Sequence, residues 1–310
     1  MNRAIVVAAT EQAPVASASP ALWIGRSAML TTVLLWSAWT VVTSHALKTS
    51  MTAFDLALFR YGVPAVVLLP VLLRHGLKAG AMGWTGTLLM AFGAGLPFQI
   101  LIGIGMQWSP AANAGAMLSG TMPMFAAILS GFVLGEAFSR ARIAGFGLIV
   151  SGVGLLGLFS ALAGAHEQWH GYLVLMAAAF IWAIYTVTMK RAGVSALHAT
   201  AIVSAVAFVL DLAALGLGAP SRILEASLGE VLLQALVQGI VAGLIAMTLF
   251  GYGVGQLGAS RAAAFVSLIP GIVALMAVPI LGETIGWGTI AGIAIVSIGV
   301  ALASGAFERT

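Results

Sequence analysis

The stretch PMFAAILSGFVLGE at 123–136 returns 147 residues later as PGIVALMAVPILGE at 270–283. In both, a proline opens an apolar run that a Gly-Glu pair closes, so Pro123, Gly135 and Glu136 stand as Pro270, Gly282 and Glu283 do. Upstream, Trp36, Trp39 and Thr40 are answered by Trp182, Tyr185 and Thr186 at an offset of 146. Downstream, Ala144-Gly145 and Gly152-Val153 are answered by Ala291-Gly292 and Gly299-Val300. Likeness at a long and nearly constant offset means a folding unit written twice.

That unit is too apolar for water. Apolar residues make up 61% of the chain and charged ones 7%, against about 25% charged in soluble domains. Runs 143–166, 168–189, 192–210, 231–260, 262–282 and 284–307 hold no charge, and 79–135 is long enough for two spans. A helix needs about 20 residues to cross the hydrocarbon core. The chain therefore reads as an all-α integral membrane protein, because a barrel would alternate rather than run continuously apolar. Cysteine is absent, which excludes disulfides, thiol catalysis and thiolate metal sites. No Gly-Lys-Ser/Thr loop, His-Glu-x-x-His run or Gly-x-Ser-x-Gly elbow occurs, so neither ATP drive nor enzyme chemistry is expected, nor any cofactor or metal.

Ten transmembrane helices are predicted near 28–47, 53–73, 82–106, 111–134, 142–160, 169–189, 195–217, 231–253, 260–281 and 286–305. Residues 1–27 read as a cytoplasmic N-terminal tail. With that tail inside, Arg3, Arg26, Arg74, Lys78, Arg140, Arg142, Lys190, Arg191, Arg261 and Arg309 are cytoplasmic, and only Lys48 and Arg222 lie outside. This is the positive-inside bias, and it accounts for the net charge of +4 without nucleic acid. Both termini are cytoplasmic. Each repeat, 28–160 and 169–305, holds five helices, an odd number, so the second enters inverted.

Leu35-Trp36-Ser37, Phe59-Arg60-Tyr61, the two Pro-to-Gly-Glu segments and Ser260-Arg261-Ala262-Ala263 resemble the drug/metabolite transporter superfamily, in its EamA-type ten-helix form. The likeness covers about 28–305, and within it the aromatic faces resemble bacterial aromatic amino acid exporters. It implies that helices one to four and six to nine enclose a path while the fifth and tenth stand aside. The second half has no arginine matching Arg60, a departure from strict repetition.

Helical spacing puts Thr32, Trp36, Trp39, Thr40 and Thr43 on one face, and Trp182, Tyr185 and Thr186 on its counterpart. Aromatics with hydroxyls suit a cavity wall; helix packing and an interfacial belt are the competing readings. Arg60, beside Tyr61, is the one basic residue well inside a span and must face protein or water. Asp211 matches its depth, so the two either pair, directly or through a substrate carboxylate, or snorkel separately. Gln99, Asn113, Ser119, Tyr252 and Ser267 complete the candidate substrate-binding set, with interhelical hydrogen bonding as their alternative role. Pro97, Pro123 and Pro270 are hinge or gate candidates, or simple kinks. Glu136 and Glu283, each ending a helix, are expected to cap or bridge.

Together these features predict a transporter of small amphipathic metabolites, in the first place aromatic and other neutral amino acids. It would sit in the bacterial inner membrane and export by alternating access, as facilitator or exchanger. Drug, cationic-metabolite or purine efflux is the alternative within the superfamily; a channel or nonconducting membrane subunit is the alternative outside it. Its expected partners are the small-molecule substrate and the lipid bilayer, and the sequence names no oligomeric state.

Overall fold

The computed structural model describes residues 20–305, and these form helices with no strand among them. The expected tail up to residue 19 and the charges Arg3 and Arg309 lie outside the described residues.

Helix α1, Pro20–Thr49, starts at Pro20 rather than near residue 28. Proline at a first helical position has its φ already set and lacks only a donor that would be idle, and Ala21-Leu22-Trp23-Ile24 offers nothing to stop the helix. The second predicted span divides into α2, Ala53–Val67, and α3, Leu69–His75, bent by 61°. Pro70 causes the bend: it cannot donate to the Val66 carbonyl, and its ring would strike it. Thr52 and Asp55 form a capping box that fixes the start of α2. The third span is also interrupted, as α4, Gly83–Ala94, and α5, Leu96–Trp108, meet at Gly95 with Pro97 in the first turn of α5.

Pro110 and Gly135 bracket α6, Ala111–Leu134, where Gly135 takes the left-handed φ of 71° that closes the helix. There follow α7, Arg140–Leu162, α8, Gln168–Ala192, and α9, Ala196–Gly216. The eighth predicted span is α10, Leu228–Gln234, an eleven-residue π-helix, Ala235–Ile245, and α11, Ala246–Leu257, in one run. The ninth breaks at Ser267-Leu268 into α12, Ala259–Val266, and α13, Ile269–Leu281, and α14 is Trp287–Ala303. Eight stretches are long and apolar enough to cross a bilayer, nine with the bent α2–α3 pair. With 17 residues, α14 falls just short of that length.

Packing respects the repeat. Helix α1 lies against α11 and α13, as its counterpart α8 lies against α4, α5 and α6. The counterparts α2 and α9, α6 and α13, and α7 and α14 each pack on one another. These adjacencies survive exchange of the two halves, which is what a two-fold axis requires.

Helices α7 and α14 approach closely along a glycine seam. A Cβ built on Gly145 would lie 2.5 Å from Ala303 N and 2.7 Å from the Gly299 carbonyl, and one on Gly299 would lie 2.8 Å from Ile149 N. Only glycine lets two backbones come this close. Gly145→Val is expected to cost about 1–3 kcal/mol by overpacking and to lower the melting temperature in detergent. Gly147→Val, two residues on where nothing lies within 4 Å, serves as the control that melts with the wild type.

Candidate functional site

The π-helix makes the centre of the protein polar. Gln238, fully buried on it, accepts from Trp39 Nε1 at 2.6 Å through its Oε1. Its Nε2 donates to Thr43 Oγ1 at 2.8 Å and to Gln234 Oε1 at 3.1 Å. Trp39 and Thr43 of α1 are thus tied to the second half. The Trp39 ring carries the Arg60 guanidinium over its face, 4.7 Å from the centroid, a cation–π arrangement. Arg60 Nη1 is buried and makes no hydrogen bond. Tyr61, next in sequence, donates its hydroxyl to the Ala94 and Gly95 carbonyls at 2.9 and 2.8 Å, covering the α4–α5 break.

Arg60 and Tyr61 open into a small, open-sided cavity of about 40 Å³, which Pro64, Ala94, Trp182, Tyr185, Thr200, Val203, Ser204 and Met247 also line. Trp182 packs on Phe98 at 4.8 Å and on Tyr185 at 5.1 Å between ring centroids, so part of the cavity wall is aromatic and held in place. Ala242 and Gly243 admit the π-helix to this wall; a Cβ on Gly243 would sit 2.9 Å from the Pro64 ring. The lining offers one cation and aromatic surface in the same cavity.

The structure therefore gathers Arg60, Tyr61, Trp182 and Tyr185 around one cavity, with Trp39 behind the guanidinium. It disperses the rest of the predicted set. Trp36 points the other way along its face and stacks on Phe250 at 5.2 Å. Thr40 and Thr186 return their hydroxyls to the Trp36 and Trp182 carbonyls at 3.0 Å, satisfying themselves within their own helices. Ser119 and Ser267 do the same to Gly115 and Ala264. Tyr252 is 43% exposed on α11 and is not among the residues lining the cavity. Asn113 lies one turn into α6 and donates to the Tyr172 hydroxyl, lining a separate cavity near Lys48, Gln168 and Glu283. Arg60 and Asp211 make no ion pair: both Asp211 oxygens are buried without a hydrogen-bond partner, as are both amide atoms of Gln99.

Among the proline candidates, Pro97 and Pro270 each sit in the first turn of a new helix after a break. Pro123 does not interrupt α6, which stays helical through it. The Gly-Glu pairs act as brackets. Glu283 accepts from Ala111 N at 2.6 Å and Ala112 N at 3.2 Å, capping α6, with Lys48 Nζ at 3.9 Å. Glu136 pairs with Lys190 in the last turn of α8, as Lys48 stands in the last turn of α1. Gln234 and Gln238 are identifiable in the sequence only as an i, i+4 amide pair in an uncharged run. Thr200, Val203, Ser204 and Met247 carry no signal there at all.

Apolar helices in two matched halves around an internal polar-aromatic cavity define a multi-pass membrane transport protein. The model of the EamA-like transporter family matches residues 23–158 and again 169–305, so the chain belongs to that family and carries two EamA repeats. It is 24% identical over 227 residues to a "Probable amino-acid metabolite efflux pump" of Salmonella typhimurium (strain LT2), spanning 69% of this chain and 75% of that protein. A solved crystal structure superposes with a TM-score of 0.62 at 23% identity, covering 91% of this chain and 96% of the other. That likeness shows a shared fold.

Proposed function

We propose that the chain exports amino acids, aromatic and other neutral ones, across the bacterial inner membrane by alternating access, as a facilitator or exchanger. In this reading it crosses ten times as two inverted five-helix repeats with both termini cytoplasmic. The α2–α3 pair and α14 supply the two crossings beyond the eight long stretches. At 17 residues α14 would be about 26 Å long, near the hydrocarbon thickness of about 30 Å.

The observation that carries the substrate class is Arg60: a half-buried guanidinium whose Nη1 is an unused donor, in a cavity that Trp182 and Tyr185 also line. A guanidinium takes a carboxylate in bidentate fashion, and the rings bury an apolar side chain. A cationic drug would meet repulsion at the same place, which favours the amino acid over cationic-metabolite efflux. The name of the Salmonella relative points to the same cargo and direction.

The test is counterflow of labelled L-phenylalanine in proteoliposomes. Saturable uptake is expected, with affinity falling about tenfold in Trp182→Ala, equivalent to about 1.4 kcal/mol. Trp36→Ala, on a ring turned away from the cavity, is expected to leave affinity unchanged. Uptake that never saturates, or that ignores Trp182, would overturn the reading.

A further inference from the structure

Asp211 is a carboxylate with 0% exposure and no hydrogen bond to either oxygen. Such a group inside a membrane protein is costly as an anion, and buried polar groups of this kind mark function more often than packing. Its neighbours narrow what that function can be. Helix α9 begins beside the end of α3, where His198 Nε2 meets the Gly76 carbonyl at 2.9 Å. Further along, Ala207 reaches Gly95: a Cβ on that glycine would be 3.2 Å away. The two chains run parallel there, so one turn beyond this contact brings Gln99 and Asp211 to the same level. Helix α2 runs the opposite way, with Gly62 against the Phe208 ring, which sets Asp211 level with Phe59 and Arg60. Three helices thus bring one cation, one carboxylate and one amide to a single depth, each with buried polar atoms that nothing among the described residues satisfies.

We propose that Asp211 holds a proton when the carrier is empty and that the substrate's ammonium group displaces it. The exchange rests on the amino-acid reading above. The O–H bond of Asp211 breaks, the proton leaves to the open side, and the carboxylate so formed accepts from the ammonium while Arg60 takes the substrate carboxylate. Gln99 accepts or donates at the same level and so serves both forms. One proton leaves for each ammonium bound, and a proton returning on the other side expels the substrate. The carrier is in this way a proton–amino acid antiporter, and an inward proton gradient drives export.

No other group among the described residues answers the same description. From α2, the titratable groups near Asp211 are Asp55 and Tyr61, with Arg60 on the same stretch of helix but over the Trp39 ring. Asp55 is already occupied by Ser221 Oγ at 2.5 Å and Arg222 N at 2.9 Å, and Tyr61 donates to backbone carbonyls. Helices α4 and α5 bring no titratable side chain. From α11 comes only Tyr252, which is exposed, and Arg74 and His75 of α3 lie at the opposite end of α9.

The decisive experiment has two arms. In the first, the infrared spectrum of substrate-free protein is compared for wild type and Asp211→Asn. A protonated-carboxyl stretch in the wild type that Asp211→Asn removes is expected, and its absence would overturn the proton on Asp211. In the second, L-phenylalanine is added to weakly buffered protein with a pH indicator. Wild type should release a proton on binding, and Asp211→Asn should release none while Asp211→Glu restores release. Release unchanged in Asp211→Asn, or wild type that binds without release, would overturn the exchange. Wild type that binds no L-phenylalanine would overturn the exchange together with the amino-acid reading, whereas the infrared arm is independent of the substrate.

Discussion

Arg60→Ala is expected to weaken L-phenylalanine binding by on the order of 100-fold. A charge-assisted hydrogen bond contributes about 1.5–3 kcal/mol, and about 1.4 kcal/mol is a factor of ten. The guanidinium is the only cation among the residues lining the cavity, so no neighbour takes over. Arg60→Lys keeps the charge but loses the planar fork and its stacking over Trp39, and should recover only about tenfold of the loss. Phenethylamine, a cation with no carboxylate, separates recognition from folding: its binding should tighten, not weaken, in Arg60→Ala as the repulsion is removed. Equal losses for phenethylamine and phenylalanine would mean that Arg60 holds the fold rather than the ligand.

Gln238→Leu carries the second large effect, on stability. It strands the Trp39 indole N–H, the Thr43 hydroxyl and the Gln234 carbonyl oxygen in a buried place. An unsatisfied buried polar group costs about 1–3 kcal/mol, so several kcal/mol in total are at stake, and the melting temperature in detergent should drop steeply. Removing a partner as well should restore part of the loss. Trp39→Phe combined with Gln238→Leu should therefore melt above Gln238→Leu alone, the non-additivity of groups in one network. Strict additivity would show that the bond between α1 and the π-helix is idle.

The helix ends legible in the sequence are those with a chemical marker. Pro110 and Gly135 mark α6 at both ends, because one cannot continue a preceding helix and the other tolerates the left-handed turn. Such markers mislead where a proline falls inside an apolar run: Pro70 and Pro97 break their spans, while Pro123 leaves α6 helical. The π-helix leaves no trace, since its hydrogen-bond register differs from an α-helix while its composition does not. Azimuth is not legible. Arg60 and Asp211, expected as a candidate pair, form none. Trp36 and Trp39 share a helical face, but one reaches Phe250 and the other Gln238. Which neighbouring helix a face meets is decided by packing of the whole bundle, and a periodicity cannot contain that information.

The glycine-on-glycine seam between α7 and α14 has a mechanical consequence. Surfaces whose main chains touch at Gly145, Gly299 and Ala303 cannot slide along one another without collision. The seam joins one helix from each half, so it acts as a fixed post common to both. In the proposed alternating access, the helices that travel swing about that post, and stiffening it further should leave turnover untouched.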